Sequence, residues 1–450
     1  MSQRRFLAAV ASLLVASAML AACTITKPTP AVIPDDGVRL LSASTGADKI
    51  THIIYVIQEN RSFDGLFKGY PGADTVSSGK NSKGQMITLH PVSLRVVYNL
   101  DHSLKAMLTD CHGTGKLPGT DCRMDAFNKE IDFSSTGPKH PQYVYVPRAE
   151  SKPYWDMAHE GVLADHMFAS QLDESFVAHQ YAIAAQAHSS VGLPKTLWGC
   201  AGGPDDTVPT ITRLRTIGTR QTACFNYKTL GDELDDAKLS WRFYTSKYTS
   251  PNSGIWSGYQ AIHHIFNGPD WRNDVIVPQK TFLTDVAAGR LANVTWITPM
   301  CPDSDHLSCG GGYGPSWVAS IVNAVGTSKF WDSSAIFIQW DDWGGVYDHV
   351  PPPHLGYDGL GFRVPLIVIS PYSKGDYVSH VQYETASVLR FAEDVFGLTQ
   401  LSTADTRATS PAKDCFDFSQ KPRKFVPIQA PFGPEFFLKQ PMDPRAPDTE

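Results

Sequence analysis

Runs of apolar residues recur along the chain, and several of them end abruptly in polar side chains. Within IIYVIQEN, NVTWITPM and AIFIQWDD the apolar positions are nearly continuous rather than alternating. Continuous runs of this length are typical of strands that are buried on both faces of a sheet. We therefore predict strands within residues 52–60, 239–245, 293–306, 334–342 and 364–371.

Segments with the apolar spacing of helices lie between the predicted strands. The clearest of these segments cover residues 175–187, 228–239, 316–326 and 383–398. Strands that alternate with helices favour an α/β fold, with a mostly parallel central sheet flanked by helices. In open sheets of this kind, ligands bind at the carboxyl ends of the strands.

Three of the predicted strands carry ligand-type side chains at their carboxyl ends. These residues are Glu59, Asn60, Asp305, His306, Asp341 and Asp342. A polar group that is buried without a partner costs on the order of 2–7 kcal/mol. The groups are therefore solvated or hold a ligand. If the strands are parallel neighbours, all six side chains share one rim of the sheet.

The composition permits a large core and argues against nucleic-acid binding. The chain has 450 residues, of which 42% are hydrophobic, and its formal net charge is −6. This charge lacks the basic character of a nucleic-acid-binding surface. We predict one catalytic domain over residues 49–415. A proline-rich tail over residues 416–450 packs on this domain or extends from it.

The N-terminus has the pattern of an export signal. Arg4 and Arg5 precede an apolar run that ends in LAAC, which resembles a bacterial lipobox. We predict a lipoprotein signal peptide over residues 1–22, then a lipidated Cys23 and a flexible tether over residues 23–48. The protein would then be exported and membrane-anchored, facing the periplasm or the cell exterior. An ordinary secretory signal, cut after a nearby alanine, is the alternative.

Seven cysteines follow Cys23, and an exported chain can keep disulfides. Sequence alone does not fix their connectivity. Pairing each cysteine with its nearest neighbour leaves Cys415 over and gives the pairs 111–122, 200–224 and 301–309. The spacings do not match a zinc site of the CxxC type.

Two adjacent carboxylates, Asp341 and Asp342, form the most pronounced candidate site. They end a strand, and Gly344 and Gly345 follow, which allows a close approach of the backbone. Like charges that lie side by side repel each other, so a cation is their natural neutraliser. The alternative is a solvated turn of two aspartates. The second acidic strand end at Glu59 argues against this alternative.

A serine and several histidines are candidates for the chemistry. Ser175 opens a helical segment, with His179 four residues later. A serine there is commonly an N-cap, but the positive end of a helix also favours phosphate oxygens. Imidazole groups can donate a proton to a leaving oxygen or bind phosphate, although a lone histidine is more often structural. The candidate histidines are His102, His263, His264 and His306.

Several motifs, in order over roughly residues 50–400, resemble the bacterial phosphoesterase family. They include IIYVIQENRSFDGLF, SFVAHQY and AIFIQWDDWGGVYDHVPPP. This family contains phosphatidylcholine-type phospholipases C and a group of acid phosphatases, and it is related by fold to alkaline phosphatase. The segment after Ser175 departs from the family, which more often has Pro-Asn where this chain has Val177 and Ala178.

The resemblance implies a role for each candidate residue. Ser175 would be the nucleophile and would also contact the metal. The implied metal ligands are Glu59, Asn60, Asp341 and Asp342. Histidines implied to line the phosphate pocket are His102, His263, His264 and His306. His306, with Asp305, is the candidate to protonate the leaving oxygen, and Asp305 and His179 are candidate substrate-binding residues. Hard oxygen ligands suit Ca²⁺, Mg²⁺ or Mn²⁺, and zinc stays open.

The predicted function is metal-dependent hydrolysis of phosphate esters, through a phosphoserine intermediate, as in an acid phosphatase. One alternative is a phospholipase C that cleaves phosphatidylcholine-type diesters at a membrane. Its choline site would need aromatic side chains, for which Trp256, Tyr259, Trp340 and Trp343 are candidates. An alternative of another class is a non-catalytic surface lipoprotein that binds phosphorylated ligands. A sulfatase is disfavoured because no Cys/Ser-x-Pro-x-Arg segment surrounds Ser175.

Overall fold

The structure of the protein is a computed structural model that describes residues 46–195, 198–247 and 254–443. The predicted signal peptide, the predicted lipidation site at Cys23 and most of the tether lie outside the described residues. Within those ranges, no helix combines the length and the apolar character that a membrane crossing requires.

A large sheet runs through the middle of the described part of the molecule. Its strands are β1 His52–Gln58, β2 Val162–Ala164, β3 Trp241–Tyr244, β4 Val275–Ile276, β5 Val294–Ile297, β6 Ser334–Trp340, β7 Leu366–Ile369 and β8 Tyr377–Ser379. In space their order is β4-β3-β5-β1-β6-β7-β2-β8. β7 runs antiparallel to both of its neighbours, and the remaining pairs are parallel. The prediction of a mostly parallel sheet is confirmed.

Helices flank the sheet and pack on one another. They are α1 Phe63–Phe67, α2 Leu104–Cys111, α3 Arg148–Glu160, α4 Ser175–Ala184, α5 Leu230–Asp236, α6 His263–Phe266, α7 Asp270–Asn273, α8 Thr281–Ala287, α9 Gly314–Gly326, α10 Ala386–Phe396, α11 Thr403–Arg407 and α12 Pro434–Lys439. α9 packs against α3 and α8, and α10 packs against α4. The four predicted helical segments are confirmed as α4, α5, α9 and α10.

The central strands are buried as their continuous apolar runs predict. Every residue of β6 is buried, and so are all residues of β1 after His52. The same hydrophobic core includes side chains from beyond residue 415, among them Phe416, Ile428 and Phe437. The C-terminal segment up to residue 443 therefore packs on the sheet-containing body.

Three disulfides stabilise loops around the sheet. They join Cys111 to Cys122, Cys200 to Cys224 and Cys301 to Cys309. Cys415 is buried and unpaired. The nearest-neighbour pairing is thus confirmed.

Candidate active site

The register of β1 and β6 brings four candidate ligands to one rim. Gln58 lies opposite Trp340, so both strands end at the same level. The backbone N–H of Asp341 donates to the carbonyl of Gln58 at 2.9 Å, which extends the pairing past the strand ends. Glu59–Asn60 and Asp341–Asp342 therefore emerge side by side, as predicted for neighbouring parallel strands.

Asn60 fastens the two strand ends together. Its backbone N–H donates to Asp341 Oδ1 at 2.9 Å, and its Nδ2 donates to Asp342 Oδ1 at 3.2 Å. Asn60 is in the left-handed conformation with φ of 58°, and Gly344 lies directly against it. A Cβ at Gly344 would lie 2.5 Å from Asn60 Cβ, so this position requires glycine.

Ser175 lies at the same rim and contacts the acidic pair. It is the first residue of α4, and Glu174 occupies the N-cap position. The N-cap alternative for Ser175 is therefore wrong. Its fully buried hydroxyl instead donates to Asp342 Oδ2 at 3.3 Å. Asp342 thus accepts hydrogen bonds from the serine on one oxygen and from Asn60 on the other.

The buried oxygen atoms of this cluster fit a divalent cation. Glu59, Asp341 and Asp342 are at most 2% exposed. Among the described residues, Asn60 Oδ1 and Asp341 Oδ2 are buried and accept no hydrogen bond. Buried carboxylates and an amide oxygen without donors form the ligand set that hard cations prefer, because the cation supplies the missing charge. The residues present therefore suit the predicted metal.

His179 lies among the candidate metal ligands rather than apart from them. Its Nε2 is 3.1 Å from Glu59 Oε1 and 3.8 Å from Asp341 Oδ2. One ligand atom from each of these three residues lies within 4.8 Å of the others. A nitrogen ligand widens the possible metals to include zinc. From the sequence we predicted His179 as a substrate-binding residue. Its contact with Glu59 depends on how α4 packs against β1, which the sequence pattern does not reveal.

Two other predicted histidines face each other near the acidic cluster. His102 donates from Nδ1 to the carbonyl of Leu100 at 2.8 Å, so its Nε2 accepts from Asn60 Nδ2 at 3.0 Å. The backbone N–H of Ser308 donates to His306 Nδ1 at 3.2 Å. The two ring centroids are 6.3 Å apart. His102 Nε2 also lies 3.9 Å from Asp342 Oδ2, so the His306 ring is separated from the acidic cluster by the His102 ring.

Asp305 anchors the loop that carries His306. Its Oδ2 accepts from the Tyr154 hydroxyl at 2.8 Å and from Trp340 Nε1 at 3.0 Å. Burial raises the pKa of Asp305 to about 6, and the nearby Arg61 guanidinium opposes this rise. These contacts give Asp305 a structural attachment, and its role toward substrate stays a prediction.

His263 and His264 lie elsewhere on the described structure. His263 is exposed. His264 is bonded to Asn226 Oδ1 at 2.7 Å and to Asp232 Oδ1 at 2.8 Å. In the described ranges no contact is found between either residue and the Glu59 cluster. Their placement in the phosphate pocket stays a prediction.

The four aromatic candidates for a choline site are distributed over several places. Trp256 stacks on His306 with centroids 5.9 Å apart, and Trp343 meets His102 edge-on. Tyr259 packs on Trp241 in the core, and Trp340 bonds Asp305 as described. The sequence missed Trp198, whose ring meets His179 edge-on at 5.7 Å.

A second group of side chains could hold a metal ion, but a buried arginine already neutralises its charge. Asp64, Asp348 and His349 could each offer a ligand atom to one ion. Arg363, however, donates to both carboxylate oxygens of Asp348, at 2.8 and 3.1 Å, and lies 3.6 Å from Asp64. A buried guanidinium in this position neutralises the group, which is therefore a salt-bridge network.

Comparison with known families identifies the chain. Residues 50–399 match the model of the phosphoesterase family. The chain belongs to this family. The resemblance seen in the sequence is thereby confirmed, and the protein is a hydrolase that acts on ester bonds.

Curated relatives of this phosphoesterase are phospholipases C. It is 24% identical over 403 residues to phospholipase C A of Mycobacterium tuberculosis, covering 78% of this chain and 73% of the relative. It is 23% identical to non-specific phospholipase C3 of Arabidopsis thaliana, covering 82% and 76%. A solved structure of an alkaline phosphatase superfamily protein from Vibrio parahaemolyticus matches 83% of this chain and 78% of its own, at 9% identity and a TM-score of 0.38.

Proposed function

We propose that this phosphoesterase cleaves its substrate through Ser175, with a divalent metal held by Glu59, Asn60, Asp341 and Asp342. The observation that carries the proposal is the contact of Ser175 Oγ with Asp342, beside buried oxygen atoms that lack donors. When bound, the metal would lower the pKa of the serine hydroxyl and stabilise charge on the phosphate oxygens.

The chain's own residues supply the remaining steps of the proposed reaction. Asp342 Oδ2 accepts the Ser175 hydroxyl proton as Oγ bonds to phosphorus, and the bond from phosphorus to the leaving oxygen breaks. His306, as the imidazolium, donates a ring proton to that leaving oxygen and is left neutral. A water then attacks the phosphoserine and gives its proton to His306. Phosphate or phosphomonoester leaves, and Ser175 regains its proton.

The proposed substrate class is a phospholipid diester, with a phosphate monoester as the second candidate. The names of the relatives, phospholipase C, favour the diester. The acid phosphatase specificity predicted from the sequence stays a prediction. A lipid anchor at Cys23 and export are part of the same proposal, supported by the LAAC motif and by three disulfides, which form in oxidising compartments.

Hydrolysis of two soluble esters tests the proposal. We would measure turnover of p-nitrophenyl phosphorylcholine and p-nitrophenyl phosphate, with and without EDTA. Ser175→Ala should lower turnover by at least about 10³-fold, as loss of other catalytic nucleophiles does. Ser320→Ala is the matched control, since Ser320 is a buried serine bonded within α9. Near-normal turnover of Ser175→Ala would exclude the serine mechanism. No turnover by metal-loaded wild type would favour the binding lipoprotein.

A further inference from the structure

A short ribbon beside the active site exposes apolar side chains to solvent. The segments around Leu100 and Asp132 form an antiparallel bridge, flanked by a hydrogen bond from Phe133 N–H to the Asn99 carbonyl at 2.8 Å. Leu100 is fully buried on one face. The outward side chains are those of Val96, Val97, Ile131 and Phe133, which are 38%, 52%, 45% and 53% exposed. We call these four residues the apolar ribbon.

The apolar ribbon borders both histidine-bearing segments of the site. The segment that carries Val96 and Val97 continues through Leu100 to His102. The backbone N–H of Tyr98 donates to the carbonyl of Leu307, the residue after His306, at 3.2 Å. The Val97 side chain lies over Gly310 of the same loop, where a Cβ would come within 2.3 Å of Val97 Cγ2. A surface that contacts the ribbon therefore lies next to the candidate catalytic residues.

The exposed charges around the apolar ribbon are basic, although the chain as a whole carries −6. Arg95, Lys129 and Lys139 are exposed on the two segments. Arg95 also lies against Gly312, beside Val97 and Gly310. The half-buried acid Asp132 is tied to Ser134 by two hydrogen bonds. Apolar side chains next to cations are complementary to a phospholipid surface, which offers acyl chains below a layer of phosphates.

We propose that the apolar ribbon and Arg95 dock this protein on the surface of a phospholipid bilayer. Docking there would present the rim of the sheet to the headgroup phosphates. The inference rests on the proposed function, because a phospholipid diester is a substrate that occurs only at such a surface at ordinary concentrations. It predicts that loss of the ribbon impairs attack on aggregated lipid while the chemistry at the site is retained.

Rates on one short-chain lipid in two physical states test this docking surface. We would measure hydrolysis of dihexanoylphosphatidylcholine below and above its micelle-forming concentration by the full chain. Val97→Asp/Phe133→Asp should lower turnover of micelles at least about tenfold, and turnover of monomers and of p-nitrophenyl phosphorylcholine by less than about twofold. Equal losses on all substrates, or no loss on micelles, would overturn the proposal.

Val426→Asp is the matched control, because the residue type and exposure resemble those of Val97. Val426 is 60% exposed and lines a surface pocket with Glu160, which ends α3 just before the amino end of β2. β2 runs parallel to β6, so Val426 lies toward the sheet edge opposite the rim. This variant should keep wild-type rates on every substrate. A loss on micelles equal to that of the ribbon variant would overturn the assignment of the surface.

Amide hydrogen exchange separates failed docking from a failed function. Full-chain Ser175→Ala would be mixed with vesicles of phosphatidylcholine and phosphatidylglycerol. The proposal predicts slower exchange at residues 95–99 and 131–135 in the presence of vesicles. Protection at the 207–222 hairpin instead, which exposes Leu214 and Ile217, would overturn it. If no ester is hydrolysed by wild type, this measurement still reports docking independently.

Discussion

Single buried carboxyl groups link the stability of this protein to pH. Asp303 is 1% exposed and accepts a hydrogen bond from Gln440 Nε2 at 2.9 Å. Burial raises its pKa to about 7, and the bonds from Gln440 and Gln279 oppose the rise. A carboxyl group whose pKa is raised by folding stabilises the fold while it is protonated. That contribution is complete below the ordinary pKa near 4 and is lost as the pH rises through 7.

We expect Asp303→Asn to flatten the pH dependence of stability. At pH 8 the amide avoids the cost of a buried charge, so the free energy of unfolding should rise by roughly 2–4 kcal/mol relative to wild type. At pH 4 the two proteins should differ little. Denaturant titrations at both pH values measure this. Asp417→Asn is the control, since the pKa of exposed Asp417 is lowered. A wild type more stable at pH 8 than at pH 4, by an amount that Asp303→Asn leaves unchanged, would contradict the expectation.

Metal removal should lower the melting temperature. Three buried carboxylates lose their counter-charge without the metal, so EDTA should reduce Tm and added divalent ions should restore it. Asp341→Asn should abolish this metal-dependent shift.

Asp348→Asn is the control for the metal effect. It removes the negative charge beside the buried Arg363 and one of the two oxygen atoms that accept its hydrogen bonds, and should destabilise the protein by about 3–5 kcal/mol, with or without metal. Its metal-dependent shift in Tm should equal that of wild type. A shift that survives in Asp341→Asn would place the metal elsewhere.

The sequence revealed the candidate ligands that lie next to each other in the chain. Glu59–Asn60 and Asp341–Asp342 follow apolar strands directly, and parallel pairing alone brings them together. His179 could not be assigned in this way, because its distance to Glu59 depends on the packing of α4. His264 is bonded to Asn226 and Asp232, and its predicted place in the phosphate pocket stays a prediction.

At the scale of elements, the loop between β5 and α9 carries His306 and Asp305. Cys301 and Cys309 close it by a disulfide, and His306 lies inside the closed segment. Asp303 and Asp305 attach the loop to Gln440 and to the end of β6. The orientation of the His306 ring therefore depends on one short, covalently closed element.

Cys301→Ala/Cys309→Ala should lower turnover by more than its loss of folding stability alone would explain. The chain-entropy estimate for so short a loop is about 2–3 kcal/mol. We expect turnover to fall by about 10–100-fold, because a small displacement of His306 impairs proton transfer. Steady-state kinetics and thermal unfolding measure the two effects.

Cys111→Ala/Cys122→Ala is the matched control for the loop disulfide. This disulfide has a comparable sequence separation of 11 residues and lies at the far end of α2 from His102. It should cost similar stability and less turnover. Equal loss of turnover in both double variants would show that the disulfides act only through stability.

The sequence predicted the long strands and missed the short ones for a physical reason. β1 and β6 have seven residues each, whereas β2, β4 and β8 have two or three. Two or three residues are too few to show a hydrophobic period. The antiparallel direction of β7 was also hidden, since a buried strand has the same continuous apolar run in either direction.

At the scale of the whole molecule, the C-terminal segment completes the core. The family match ends at residue 399, yet Phe416 stacks on Phe391 and Phe437 contacts the ring of Trp317. Gln440 then donates to Asp303, which lies in the same disulfide-closed loop as His306. The segment thus connects the outer surface of the sheet-containing body to the active-site loop.

Phe437→Ala should reduce the free energy of unfolding by about 3–5 kcal/mol, the usual cost of deleting a fully buried phenylalanine. Phe437 is 1% exposed. Its half-buried neighbour Phe436 is the matched control, and Phe436→Ala should cost clearly less. Denaturant unfolding of both variants is the measurement. Equal costs would show that the segment contributes little core.

The direction of β1 places the predicted tether and the candidate active site at opposite edges of the sheet. The chain enters the sheet at His52 and delivers Glu59 at the opposite edge, about 23 Å away for seven residues of strand. Residues 24–45 can span at most about 75 Å. If Cys23 carries a lipid, this tether is long enough for the active-site edge of the sheet to face the same leaflet that holds the anchor. The enzyme and its phospholipid substrate would then share one membrane. Their encounter would become a two-dimensional search within that membrane.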